Sequence, residues 1–385
     1  MIFSFSEEHG ELRDGLRRFL TDKSPSAEVR RLMDTDEGYD PKVWQQLAQQ
    51  LGVTGLTIPE KFGGLGYGAV EQAIVLEEMG RALLCAPYLS TAVLAVQALL
   101  ASGDAAAQEQ HLPGIAEGTT IATLAVPEDD GHWDTAAMTT RAAREAGGAG
   151  WRLDGRKSFV LDGNTADLII VAAQADGGPS LFAVAGDADG LTRRPLETLD
   201  RTRKLARLDL ASAPAQLIGT EGGAAAAVRR TLQVSAAALA AEQVGGAQRC
   251  LDMSVEYAKL RMQFGRPIGG FQAIKHMCAD MLLEVESARS AAYYAAWAAA
   301  EDSDELPLVA SLAKAYCSEA YFRAAADNIQ IHGGIGFSWE HDAHLYYRRA
   351  KSSELMLGTP SEHREIAATY LIDEPAGRGD HADAS

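Results

Sequence analysis

The chain has 385 residues, 47% of them hydrophobic and 23% charged, which is enough for two or three domains sharing a large core. Its 35 basic against 53 acidic residues leave a net charge of −18, which argues against a nucleic-acid surface, because neutralising phosphates needs a concentrated basic patch. No run of about 18 apolar residues appears, and the four cysteines, Cys85, Cys250, Cys278 and Cys317, are widely spaced in apolar helical pattern, so a cytoplasmic protein with reduced thiols and no membrane span is expected.

From Ser6 the pattern is helical: "SEEHGELRDGLRRFL" offers Ser6 as N-cap with acids in the first turn, and "AVEQAIVLEEMGRALL" repeats apolar residues at three and four. Residues 1–117 therefore read as an N-terminal helical domain, broken by the glycine-rich loop "IPEKFGGLGYG". Over 118–220 the period changes to short runs such as "TIATLAV", "GWRLDGRKSFVL", "ADLIIVAAQ" and "SLFAVA", separated by Gly, Asp and Pro, which is a small β-domain. Long helical stretches return over 221–371 and predict an antiparallel bundle. Residues 372–385 lack periodicity and are expected to be a disordered tail.

Two strings carry ligand chemistry. In "RMQFGRPIGGFQAIKHMCADM", Arg261 can neutralise a phosphate, Phe264 offers an apolar face, and Gln272 sits near the N-terminus of a new helix. In "QIHGGIGFSWEHDAHLYYRRAK", Gly333 and Gly334 leave a helix end free of side chains, with Gln330 available to hydrogen-bond a ligand there. A diphosphate suits both. The histidines of the second string, His332, His341 and His344, lack matching Cys or His elsewhere, so no metal site is expected.

With "PEKFGGLG" at Pro59 to Gly66, these strings resemble the acyl-CoA dehydrogenase family in order and spacing, up to about residue 371. The resemblance implies an α+β fold: an N-terminal helical domain, a middle β-barrel-like domain and a C-terminal four-helix bundle. It further implies that Arg261, Phe264, Gln272, Gln330, Gly333 and Gly334 cradle the diphosphate and adenosine arm of an FAD belonging to a neighbouring subunit, with Thr359 available to the flavin. On the flavin-ring side the match weakens: Ala125 and Leu161 stand where the family has threonines and Phe159 where it has a tryptophan.

Removal of the α-proton of an acyl-CoA thioester needs a carboxylate within hydrogen-bond reach, its pKa raised by burial. In most members of the family a Glu directly precedes the Gly-Thr that here is Gly358-Thr359, and this chain has Leu357. A second family position falls on Ser235, which is no base; seven residues on, about two helical turns and so nearly the same face, lies Glu242. Glu242 is the only charge between Val234 and Gly246. It is the candidate base, or else a structural carboxylate paired with an Arg or Lys of another helix.

The resemblance thus implies FAD-dependent α,β-dehydrogenation of an acyl-CoA by a homotetramer or a heterotetramer with a paralogous subunit, electrons passing to an electron-transfer flavoprotein. The alternative is a non-catalytic partner subunit, as in heterotetrameric steroid-side-chain dehydrogenases, where one chain lacks the base and part of the flavin pocket while donating the dinucleotide arm.

Overall fold

The computed structural model describes residues 6–145, 147 and 150–373, so the expected tail from 374 onward lies outside the described residues. The N-terminal part comprises α1 (Glu7–Lys23), α2 (Ser26–Met33), α3 (Pro41–Gln49), α4 (Ala69–Arg81), α5 (Val96–Ala101), preceded by a π-helical stretch Leu89–Ala95, and α6 (Ala105–Ala116). Ser6 caps α1 by accepting from the His9 amide, as its position before two acids predicts. α4 is buried at Val70 and along nine consecutive residues from Gln72 to Gly80 because it packs between α1 and the long first helix of the bundle.

The middle part is one seven-stranded sheet: β1 (Ala122–Ala125), β2 (Arg141–Arg144), β3 (Trp151–Leu161), β4 (Leu168–Ala175), β5 (Gly178–Ala185), β6 (Leu191–Pro195) and β7 (Leu205–Ile218). β4 pairs β5, β5 pairs β7, β7 pairs β3, β3 pairs β2, and β2 returns to β4 through Arg141 and Gln174, so the sheet closes into a barrel that leaves few unpaired edges. β1 adds to β4 in parallel and packs against the π-helical stretch Leu89–Ala95.

The C-terminal part opens with α7 (Ala224–Leu260), 37 residues long, followed by the small hairpin β8 (Met262–Gln263) and β9 (Arg266–Pro267), then α8 (Gln272–Ala300), α9 (Leu306–His332), α10 (Ala343–Leu355) and α11 (Pro360–Ala368). Alanine and glycine let these helices approach closely: a Cβ on Gly245 would strike the Glu77 carbonyl of α4, and one on Gly246 the Tyr321 ring of α9. No helix among the described residues is long and apolar enough to cross a membrane.

Candidate active-site cavity and dinucleotide-binding face

Where the barrel meets the N-terminal half of α7, the start of α9 and the α10–α11 turn, the chain forms an open cavity of about 1070 Å³. Leu94, Leu161, Val228, Leu232, Leu355 and Leu357 give it an apolar lining. α10 ends at Leu355 and Thr359 caps α11, so Met356, Leu357 and Gly358 must turn the chain in three residues. They do so with Leu357 at φ 61° and Gly358 at φ 106°. A leucine in the left-handed region stores strain of about 1–3 kcal/mol and persists only where its surroundings hold it.

Two buried side chains do the holding. Lys314 Nζ donates to the Gly358 carbonyl at 3.0 Å and the Glu354 carbonyl at 3.2 Å. Burial pushes the Lys314 ammonium down to about 7. His363 Nε2 lies 3.0 Å from the Leu357 carbonyl oxygen, and burial, followed by the nearby Lys314, lowers its pKa to about 4. The ring is therefore neutral at pH 7, and since a carbonyl only accepts, Nε2 carries the proton. Thr359 faces this cavity too, its hydroxyl engaged with Glu362 in a capping box.

Glu242 lies elsewhere. It lines a separate pocket of about 30 Å³ with Asp162, Arg203 and Arg349. Its Oε1 accepts from Arg203, contributed by the barrel, and from Arg349 of α10 at 2.7 Å. Arg349 also donates to Asp200 at 2.9 Å, and Arg203 to the Ser353 hydroxyl at 2.8 Å. Burial works against the charge of Arg349, but Asp200 and Glu242 outweigh it and hold its pKa above the ordinary value. Asp162, buried beside this cluster, is pushed up to about 7 by burial, which the hydrogen bond from Ser90 and the nearby arginines offset only in part. Ser90, Asp162, Asp200, Arg203, Glu242 and Arg349 thus tie all three parts of the chain together.

Sequence reasoning singled out Glu242 but neither of its guanidinium partners, nor Asp162, Lys314 and His363. One signal was there: a lone carboxylate in an apolar helix demands cations from other elements, and Arg349 lies inside the quoted "YYRRAK". Glu354, one turn before Leu357, is paired with Lys351 at 2.8 Å.

The barrel side of the cavity is set by the loop after β1. Glu128 there accepts from the amides and hydroxyls of Thr139 and Thr140 and pairs with the fully buried Lys157 at 3.0 Å. Burial alone would raise the Glu128 carboxyl; these hydrogen bonds outweigh it and hold the group at about 2. The loop so pinned presents Asp129 and Asp130 to the cavity beside Phe159, at φ 57°, and Leu161. On this side of the cavity these two apolar and two anionic side chains offer a flavin ring no side-chain hydrogen-bond donor, and the cations of the lining, Arg229 and Lys351, stand on α7 and α10.

The residues expected to hold the dinucleotide arm gather at the far end of the bundle. Tyr257 in the last turns of α7 stacks on His332, the last residue of α9, with ring centroids 4.3 Å apart, and α8 begins at the same end. Arg261, Phe264, Gln272, Gln330, Gly333 and Gly334 are all exposed there, Phe264 to 91%. A Cβ placed on Gly333 or Gly334 would meet nothing within 4 Å, so another molecule can lie directly on the backbone. Cation, aromatic face, amides and bare backbone fit the adenosine diphosphate half of FAD. Ala236, in the cavity, and Arg261 are 25 residues apart on or beside α7, about 38 Å at 1.5 Å per residue. One dinucleotide cannot touch both within a single chain. Among the described residues no group of three or more His, Cys, Asp or Glu is placed to hold a metal ion.

Comparison with known proteins agrees with this architecture. The acyl-CoA dehydrogenase N-terminal domain matches residues 6–119, the middle domain 123–209 and the C-terminal domain 221–372. The acyl-CoA dehydrogenase IpdE2 of Mycobacterium tuberculosis is 36% identical over 92% of this chain and 95% of its own length. FadE27 of the same organism is 32% identical over 98% and 100%. Among solved structures, the steroid acyl-CoA dehydrogenase Tcur3481-Tcur3483 superposes with a TM-score of 0.86 at 33% identity, covering 96% of this chain and 98% of that one. The ChsE4-ChsE5 complex from Mycobacterium tuberculosis gives 0.87 at 31%, covering 96% and 99%. The chain belongs to the acyl-CoA dehydrogenase family of FAD-dependent oxidoreductases acting on CH–CH bonds.

Proposed function

We propose that this chain works in acyl-CoA dehydrogenation as one half of a heteromeric enzyme, donating the face that holds the adenosine diphosphate arm of FAD while a paralogous subunit supplies the base and the flavin-ring pocket. The observation that carries this reading is the turn at Leu357: its strained geometry is kept by Lys314 and His363, yet its side chain takes no proton, and the one carboxylate buried in α7 is engaged by two guanidiniums outside the cavity. The two solved relatives named as paired chains, one a steroid dehydrogenase, support a heteromer and a bulky thioester substrate.

When bound, FAD would supply the hydride acceptor for a thioester held in the partner's cavity, and this chain's part would be to hold the cofactor's adenosine diphosphate arm. Arg261 neutralises a phosphate of that cofactor, Gln330 and Gln272 donate hydrogen bonds, Phe264 covers the adenosine, and Gly333 and Gly334 let the diphosphate rest on the backbone. An electron-transfer flavoprotein would be the acceptor of the electrons. The test is flavin content. The chain purified alone is expected to be colourless, and co-expressed with its paralogous subunit it is expected to form a complex with one flavin per two chains. One tightly held flavin per chain in the lone protein would overturn the proposal.

A further inference from the structure

A second pocket, of about 410 Å³, lies between α1, α2, the end of α4, the C-terminal half of α7 and the start of α10, and shares no lining residue with the large cavity. Its inner wall is apolar: Leu20, Val29, Leu83 and Leu345 line it, each only 2–3% exposed. Its mouth is cationic. Arg17 on α1, Arg81 on α4 and Arg249 on α7 line it with 45%, 26% and 33% of their side chains exposed, so all three guanidiniums are within reach of a ligand from solvent.

The carboxylates of the lining do not use up this charge. Glu78 accepts from Arg17 at 2.6 Å and from Arg13 at 3.1 Å. Asp342 accepts from Arg30 at 2.7 Å and from the Ser26 hydroxyl at 2.6 Å. Arg81 is bonded to Asp252 through Nη1. Arg249 alone donates no hydrogen bond among the described residues: its carboxylate neighbour, Glu256, stands 3.7 Å away and is itself 64% exposed. α2 adds to the field, since Pro25 and Ser26 at its start line the pocket and no side chain caps its first-turn amides. In a chain of net charge −18, this is a built concavity whose unmatched charge is positive.

We propose that this pocket binds a small amphipathic monoanion, a carboxylate held by Arg249 with Arg81 beside it and a short aliphatic body against the apolar inner wall. One guanidinium without a carboxylate of its own suits a single negative charge, and its fork matches the two oxygens of a carboxylate. A volume of about 410 Å³ is that of a small-molecule site. The inference goes beyond the heteromeric reading and does not depend on which subunit holds the base.

The test uses the full chain and octanoate, followed by isothermal titration calorimetry. Saturable binding at one per chain is expected, weakening at least about threefold as salt rises from about 50 to about 500 mM. Octan-1-ol and octylammonium, which lack the negative charge, and acetate, which lacks the body, should each bind at least about tenfold more weakly. Arg249→Ala should cost at least about tenfold in affinity while the melting temperature stays close to that of the wild type. Should that variant fail to fold, Thr21→Trp, which blocks the mouth from an exposed position of α1, should give the same loss. Leu232→Trp, which narrows the large cavity instead, should leave octanoate binding unchanged. Absence of saturable binding, equal affinity for octanoate and octan-1-ol, or full affinity in both Arg249→Ala and Thr21→Trp would each overturn the proposal. So would loss of binding in Leu232→Trp with Arg249→Ala unaffected, which would place octanoate in the large cavity.

Discussion

Removing Glu242 separates a structural carboxylate from a catalytic one. In Glu242→Leu, Arg203 and Arg349, whose side chains are 8% and 4% exposed, lose the carboxylate they share. Arg349 keeps Asp200, and Arg203 keeps the Ser353 hydroxyl. Breaking a buried pair by taking away one partner costs about 3–5 kcal/mol, because the remaining charge stays desolvated. With an unfolding entropy of about 2 cal/mol/K per residue, a chain of this length should melt about 4–6 °C lower. Arg203→Met added to Glu242→Leu removes both charges, and at least half of the loss should return, an interaction energy of about 1–3 kcal/mol. Thermal unfolding followed by circular dichroism at pH 7.5 reads all three proteins. A single variant that melts with the wild type, or a double variant no better than the single, would refute the ion-pair role. Loss of flavin reduction without loss of stability would instead mark Glu242 as the base.

Asp162, at about 7 when folded against about 3.9 unfolded, binds a proton more tightly in the native state between those values. The stability it supplies is complete below about pH 4 and lost as pH rises through about 7; Asp162→Asn should therefore melt higher than wild type at pH 8.5, by the order of 1–3 kcal/mol, and show no gain at pH 5. His363 behaves oppositely: with its folded value at about 4, stability falls as pH drops from about 6.5 to about 4, and His363→Gln should flatten that part of the melting profile. Arg261→Ala, at an exposed position, should leave the melting temperature of the lone chain unchanged and weaken FAD retention by the complex about 10- to 100-fold, the worth of a charged hydrogen bond; flavin release on dilution measures it. Leu357→Glu restores a carboxylate to the turn, but with Asp129, Asp130 and Phe159 still lining the cavity the lone chain should gain no flavin, as its visible absorbance will show.

The three-part order was legible because the hydrophobic period changes twice and α7, α8 and α9 are each far longer than any strand. β7 was not singled out, although it is the longest strand: "LARLDLASAPAQLI" is rich in residues of low strand propensity, and its pairing with β3, β5 and β6 decides its conformation. The residues proposed to hold the dinucleotide arm could be picked out as a group because they lie in two short strings that the bundle brings to one end. The Glu242 cluster could not, since Arg203, Glu242 and Arg349 are more than 30 residues apart in the chain and meet only through domain packing. Nor does any local pattern announce a leucine at positive φ; that conformation follows from the short connection between α10 and α11 and from carbonyls held by Lys314 and His363.

The central claim is that this chain lends a dinucleotide face to a flavin whose chemistry happens in another subunit. It is tested most directly by supplying the lone chain with excess FAD under anaerobic conditions, adding straight, branched and steroid-like acyl-CoA thioesters, and following bleaching of the visible flavin band. No bleaching is expected from the lone chain, and full bleaching from its complex with the paralogous subunit. Bleaching by the lone chain that disappears in Glu242→Gln would contradict the account and place the base in this subunit after all.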